Sequence, residues 1–301
     1  MTQIGIQLHS IRALDEELPA VLRRVNDHGF DAVEFAAGIQ AADIDGVRRA
    51  LDETDLFPIG AHVGLARMES DLDALVQRFE SIGCDRFVVP HISADRLLSA
   101  DRVDGVARRL NDLAERLRAR GFELVVHNSR EMHLPVLDGY YLDRTVEAGA
   151  VPRGVWTHLA WGLDRLSPRG LRPETAFERL VAQTDRDAVG FEVDIGHVAS
   201  ANRDPASVFD VVQDRLVAVH VCDAERSRWL PPAYRSKNLG GGMVRLERAI
   251  NEAARHDIDW FIVENDYPTD PVEVLDNGID VVEPLVAGGR ATDADAQKGR
   301  P

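Results

Sequence analysis

Cysteine, lysine and long apolar runs are nearly absent from this chain. The two cysteines, Cys84 and Cys222, fall in different expected strands with no metal-site spacing, so a disulfide framework is not indicated and both read as reduced, partly buried thiols. No apolar stretch approaches the roughly 20 residues that span a bilayer. The sequence opens directly on the strand-like Ile4-Gly5-Ile6-Gln7-Leu8, without the basic segment and apolar core of a secretory leader. A soluble, cytoplasmic protein is the expectation. Also missing is a Gly-x-Gly-x-x-Gly turn after the first strand, which argues against an open, doubly wound nucleotide-binding sheet.

Of the 35 basic residues only Lys237 and Lys298 are lysines, and 51 acidic residues bring the net charge to −16. Such a surface repels nucleic acid and acidic membranes, so neither is expected as a partner. The acid excess with arginine in place of lysine resembles proteins of salt-loving cytoplasms. A coding bias toward arginine is the alternative source of the same composition.

What is present is a cadence. Short β-branched or aromatic runs alternate with longer stretches of helical period, the signature of repeated βα units around a parallel sheet. Eight strands are expected: Ile4 to His9, Ala32 to Phe35, Pro58 to Val63, Arg86 to Pro90, Glu123 to His127, Val189 to Asp194, Val217 to Val221 and Trp260 to Glu264. Apolar residues recur at helical intervals over Leu14 to Asn26, Ile44 to Thr54, Leu72 to Ile82 and Val103 to Arg118. Asp204-Pro205 and Asp270-Pro271 each set a cap acceptor ahead of a proline at the first helical position. Eight regular units favour an α/β fold with a single closed (β/α)8 TIM barrel over residues 1–287. Residues 129–172, with Trp156, His158 and Trp161, are too many for an ordinary loop after the fifth strand and read as an inserted lid. Residues 288–301 lack an apolar period and are expected to be a disordered tail.

Several strands end in metal-ligand types: His127 after Leu124, Asp194 with His197 after Phe191, His220 after Leu216 and Glu264 after Phe261. Strand ends of a barrel share one mouth, so these residues can converge and suit a divalent cation that accepts mixed oxygen and nitrogen donors. The full strand-end set is His9, Glu34, His62, His91, His127, Asn128, Asp194, His197, His220, Asp223, Glu264 and Asp266.

With those residues in hand, the chain resembles the xylose-isomerase-like TIM barrel superfamily of sugar phosphate isomerases and epimerases over nearly its whole length. The resemblance rests on Ile4 to Arg12, Gly29 to Phe35, Ala61-His62-Val63, His127-Asn128, Asp194-Ile195-Gly196-His197, Val219-His220-Val221, Leu239-Gly240-Gly241-Gly242 and Val263-Glu264-Asn265-Asp266, in that order. It implies one divalent ion (Mn²⁺, Co²⁺, Mg²⁺ or Zn²⁺) on Asp194, His220 and Glu264, with a further carboxylate near the end of the fifth strand. There the chain reads His127-Asn128-Ser129-Arg130-Glu131, so Glu131 is the expected fourth ligand and His127 the fallback. Cys222 stands where many relatives carry lysine.

The resemblance further implies an isomerase or epimerase acting on a sugar, sugar phosphate or keto-polyol through an enediolate. Glu264 would be one acid/base group, with Glu131 or His197 the other, and His9, Glu34, His62, His127 and Asn128 would contact substrate. Arg12 and Arg130 are the residues suited to hold a phosphate. An inosose-type dehydratase on the same metal site is a rival, supported by His127-Asn128 and His197. A catalytically silent sugar-binding barrel is another, and an apurinic-site endonuclease is disfavoured by the net acidity. Related barrels often pair through helical faces, so a homo-oligomer is compatible with the chain.

If the composition reflects salt adaptation, self-repulsion of the acidic surface should weaken as the Debye length shrinks from about 10 Å at 0.1 M to about 3 Å at 1 M salt. The melting temperature should then rise between low and molar KCl; an unchanged value points to coding bias alone.

Overall fold

A computed structural model describes residues 3–136, 173–226, 234–256 and 258–298. Eight parallel strands close into a barrel. They are β1 (Gln3–Gln7), β2 (Ala32–Phe35), β3 (Phe57–His62), β4 (Arg86–Val89), β5 (Glu123–His127), β6 (Val189–Asp194), β7 (Leu216–Val221) and β10 (Trp260–Val263), with a hairpin of β8 (Asp223–Arg226) and β9 (Tyr234–Lys237) between the last two. Each barrel strand pairs with the next in the chain, and β10 closes onto β1. All eight expected strands are present. The first ends at Gln7, so His9 lies on a 3-10 turn, Leu8–Ile11, rather than in the strand.

The helices wrap the barrel: α1 (Leu18–Asp27), α2 (Ile44–Glu53), α3 (Leu65–Glu80), α4 (Ala100–Arg118), α5 (Ala176–Gln183), α6 (Ile195–Ser200), α7 (Pro205–Val212), α8 (Leu246–Ala253) and α9 (Pro271–Lys298). Helix α3 begins well before Leu72 because Leu65 and Met68 extend the stripe that continues through Leu72, Leu75 and Phe79, all buried. Helix α7 starts as expected, with the Asp204 side chain accepting from Ala206 N, and Asp270 Oδ1 likewise accepts from Val272 N at 2.8 Å ahead of α9. A capping box between Thr175 and Glu178 starts α5.

Two expectations concern irregular segments. Of the expected lid, residues 137–172 lie outside the described residues, Trp156, His158 and Trp161 among them. The expected disordered tail is helical through Lys298 as the end of α9. Three of the nine residues from Arg290 to Lys298 are alanine, the strongest helix former, which favours the helix without an apolar stripe. No helix among the described residues is long and apolar enough to cross a membrane.

The main apolar core lies between strands and helices, and a smaller one of Ala32, Ile59, Ala218, Trp260 and Ile262 fills the barrel interior. Two bulges then decide what stands above it. Val33 and Glu34 pair with Pro58 and Gly60, leaving Ile59 as an extra residue in β3. Phe191 and Glu192 pair with Leu216 and Ala218, leaving Val217 extra in β7. Strict alternation would send Ile59 and His62, three apart, to opposite faces of β3; the bulge lets both point inward.

The β8–β9 hairpin was not anticipated. It is anchored by Asp223, a buried carboxylate that accepts from Ala224 N and Gly242 N at 2.8 Å and from Val244 N at 3.0 Å. A Cβ on Gly242 would overlap Asp223 Oδ1 and Ala224 O, which explains the glycine at that point of the Gly240-Gly241-Gly242 run. Asp223→Ala strands three amide donors and should cost on the order of 3 kcal/mol in urea unfolding. A loss below about 1 kcal/mol would show that water replaces the carboxylate.

Candidate metal centre and active site

The C-terminal ends of the strands enclose a cavity of about 590 Å³, lined by His9, His62, His127, Glu131, His197 and Glu264 among others. At its floor His127 from β5, Asp194 from β6, His220 from β7 and Glu264 just after β10 each present one ligand-type atom, all within 4.8 Å of one another. The register puts Asp194 opposite His220 and Ile262 opposite His220, so the contributing strand ends lie side by side. His220 Nδ1 is 2.6 Å from Glu264 Oε2. His127 Nε2 is 3.7 Å from Glu264 Oε2 and 3.9 Å from Asp194 Oδ2. His127 is buried, yet neither ring nitrogen has a hydrogen-bond partner. An imidazole held that way is costly unless something electropositive accepts its lone pair. The two carboxylates and two imidazoles therefore fit a divalent cation.

Asp194 is held from three sides. Asn128 Oδ1 accepts from Asp194 N at 2.7 Å, and Asn128 Nδ2 donates to Asp194 O at 3.3 Å. Asp194 Oδ1 caps α6 by accepting from His197 N at 2.6 Å. The Cys222 thiol lies 2.9 Å from both carboxylate oxygens. Burial, then the Asp194 charge, pushes that thiol well above its ordinary range, so Cys222 is a neutral donor to Asp194. Asn128 Nδ2 also lies 3.0 Å from His133 Nε2. Burial, with Arg203 and His197 nearby, pulls His133 down to about 3, so this neutral ring can accept from the amide.

The other expected site residues divide between two levels. Glu131 sits on a 3-10 turn, Arg130–His133, and lines the cavity, but it stands outside the group formed by the strand ends. The inward position at the end of β5 belongs to His127. Pairing of β5 with β6 places His127 opposite Glu192, whereas Glu131 lies beyond the strand. His197 lines the cavity with Nε2 3.8 Å from Asp266 Oδ2 and 3.9 Å from Asp194 Oδ2. Burial opposes its charge, but Asp194, Asp266, Glu264 and Glu131 together raise it. His9 lines the mouth, lowered by burial and by Arg12. Arg12 donates through Nη1 to His9 O at 2.6 Å and through Nη2 to Asp266 O at 2.8 Å, tying the ends of β1 and β10 together. Arg130 lines the cavity with its guanidinium 4.5 Å from the Tyr234 ring.

Below this floor, Glu34 is fully buried and His62 only reaches the cavity wall; they form a second group with Glu192 and His220. Glu192 and Asp266 had no assigned role. Glu192 is two residues before Asp194 on one strand, so alternation alone puts both inside the barrel. Asp266 lines the cavity and is pushed up to about 6, by burial and then by Glu264, which makes it a carboxyl able to hold a proton near neutrality.

No protein-family model matches the chain. It is 29% identical to an inosose dehydratase of Lacticaseibacillus casei over 89 aligned residues, covering 24% of this chain and 30% of that protein. The chain thus spans about a third of the length of the curated relatives it matches. Solved structures align over almost all of it. A sugar phosphate isomerase/epimerase from Parabacteroides distasonis superposes with a TM-score of 0.73 at 16% identity, covering 95% of this chain and 100% of that one. The IOLI protein with a bound zinc atom gives 0.70 at 12% identity, covering 95% and 99%. This protein therefore shares the fold of the xylose-isomerase-like sugar phosphate isomerase/epimerase barrels.

Asn128 touches Asp194 through the backbone only, so it is a positioning residue. Asn128→Ala should weaken Zn²⁺ binding about 10- to 100-fold by calorimetric titration, as loss of a supporting hydrogen bond does at other metal sites. Unchanged affinity would show that Asp194 keeps its place without the strap.

Proposed function

We propose that this protein is a divalent-metal-dependent isomerase or epimerase of a sugar, sugar phosphate or keto-polyol that works through an enediolate. The observation that carries this reading is the convergence of His127, Asp194, His220 and Glu264 at the floor of one cavity, with His127 buried and lacking any other partner. A bound cation would supply Lewis acidity to adjacent substrate oxygens as negative charge develops on them.

The side chains supply the rest. Glu264 is held ionised, well below its ordinary range despite burial, by His220 and His127, and can ligate through one oxygen while the other faces the cavity. Proton exchange at a carbon beside a carbonyl needs a second group on the far side. His197, Glu131 and Asp266 all line that cavity. His197 and Asp266 are both raised, Asp266 to about 6, which gives the cavity an imidazole that favours its charged form beside a carboxyl able to hold a proton near neutrality, as general acid/base work favours. His127 takes the place of Glu131 as the fourth ligand, and Glu131 becomes a proton-transfer or substrate-binding side chain.

A second reading, an inosose-type dehydratase, is favoured by the similarity to inosose dehydratase and by an imidazole, His197, placed to protonate a departing hydroxyl. Both reactions begin with the same proton abstraction. An isomerase or epimerase then returns a proton to carbon, whereas a dehydratase expels the β-hydroxyl.

The test is metal content by elemental analysis with proton exchange from substrate in deuterium oxide across a panel of sugars and polyols. Wild type should carry bound divalent ion and exchange a C–H proton. His127→Ala and Glu264→Gln should lose the ion at this site, and Glu131→Gln should keep it while exchange falls about 10²- to 10⁴-fold if it is an acid/base group. A conjugated enone or dione absorbance in the product favours the dehydratase. Ligand bound without exchange contradicts both readings and leaves a sugar-binding barrel.

A further inference from the structure

Glu34, His62, Glu192 and His220 lie one layer deeper than the floor of the cavity, and each again presents a ligand-type atom within 4.8 Å of the others. Glu34 is 0% exposed, Glu192 1% and His220 0%. His62 reaches the cavity wall and gives the group a route to solvent. His220 faces both levels. Its Nδ1 points to Glu264, while its Nε2 lies 3.0 Å from Glu34 Oε2 and 3.1 Å from Glu192 Oε2. His62 Nε2 lies 3.0 Å from the same Glu34 oxygen and 3.5 Å from the same Glu192 oxygen.

Those separations resemble ordinary ion-pair contacts, but the directions do not. Neither His62 Nε2 nor His220 Nε2 makes an aligned hydrogen bond, and Glu192 Oε2 has no partner either. Four donor atoms are crowded around a common space without bonding one another. Ligands about 2.0–2.1 Å from a zinc-like ion lie roughly 2.9–3.4 Å apart, tetrahedral or octahedral. Three of the four nitrogen–oxygen edges, at 3.0, 3.0 and 3.1 Å, fall in that range, and the fourth, His62 to Glu192, is 3.5 Å. Gln7 Nε2 donates to Glu34 Oε2 at 2.5 Å and fixes its orientation, as supporting residues do around ligands.

Charge points the same way. Glu34, Glu192, Asp194 and Glu264 are four buried carboxylates, and among the described residues their ion-pair partners are histidines only. One divalent ion at the floor balances two of these charges. A second balances the other two with His62 and His127 neutral, and His220, ligating through both nitrogens, would be an imidazolate that adds one further negative charge.

We propose that Glu34, His62, Glu192 and His220 Nε2 form a second divalent-cation site inside the barrel, joined to the first through the His220 ring. Two nitrogens and two oxygens suit Zn²⁺ or Co²⁺ better than Mg²⁺. With both sites filled the His220 ring bridges the ions through both nitrogens, and its remaining N–H proton is released to solvent through the cavity. Nothing in this depends on which reaction the upper site performs.

The experiment titrates chelator-stripped full-length protein with Co²⁺, counting equivalents by calorimetry and visible absorption. Wild type should take up two equivalents, and its dicobalt form should show an electron paramagnetic resonance signal weakened by coupling across the bridging ring. Glu192→Gln and Glu34→Gln should each take up one. Glu264→Gln should also take up one, with a different absorption spectrum, because it empties the other site. Wild type saturating at one equivalent that Glu192→Gln keeps and Glu264→Gln loses would overturn the second site and leave the first. One equivalent lost in Glu192→Gln but kept in Glu264→Gln would support the inner site while removing the outer one. No uptake by wild type overturns both, and this count decides even if a variant fails to fold.

Discussion

Burying Glu34, Glu192, Asp194 and Glu264 inside one barrel sets four negative charges where water cannot solvate them. Each such burial costs several kcal/mol unless a positive partner is close and well aligned. The chain answers with imidazoles and without arginine or lysine among the described ion-pair partners of these groups. His220 stands at the centre with carboxylates on both ring nitrogens, and burial notwithstanding, Glu192, Glu264 and Glu34 hold it well above its ordinary range. His62 is pushed up to about 10 in the same way, chiefly by Glu34 acting against burial. Such imidazolium–carboxylate clusters exchange protons for metal readily, because a divalent ion delivers more charge to the same donors.

The rest of the barrel is arranged to keep that cluster in place. Bulges in β3 and β7 turn His62 and His220 inward, and Asn128 pins the backbone of Asp194. Cys222 presents a thiol, not a charge, to Asp194, and so adds no cation that would compete with metal. Asp223 ties the glycine loop to the hairpin, whose Ala224, Tyr234, Arg235 and Ser236 line one side of the cavity.

Much of this was legible in the sequence because buried parallel strands announce themselves as short β-branched runs, and barrel topology sends their ends to one rim. Glu123 to His127 and Val189 to Asp194 have the expected limits. Three features were not legible. A bulge leaves no residue signature, so the partnership of His62 with Glu192 below the floor could not be foreseen. The order His127-Asn128-Ser129-Arg130-Glu131 offers two donors, and only the register of β5 against β6 shows which one reaches the floor. The alternation of Phe191-Glu192-Val193-Asp194 did contain the signal for Glu192, since residues two apart on a strand share a face, but a mid-strand carboxylate reads as a misfit until its partners from β2, β3 and β7 are in view.

The central claim is that the strand ends hold a cation at the floor of the cavity, and crystals grown with Zn²⁺ and measured at wavelengths on either side of the zinc absorption edge test it most directly. The account predicts an anomalous peak bounded by His127, Asp194, His220 and Glu264, about 2.0–2.2 Å from each ligand atom. Crystals in which those four side chains hydrogen-bond one another, with no anomalous density between them, would contradict it.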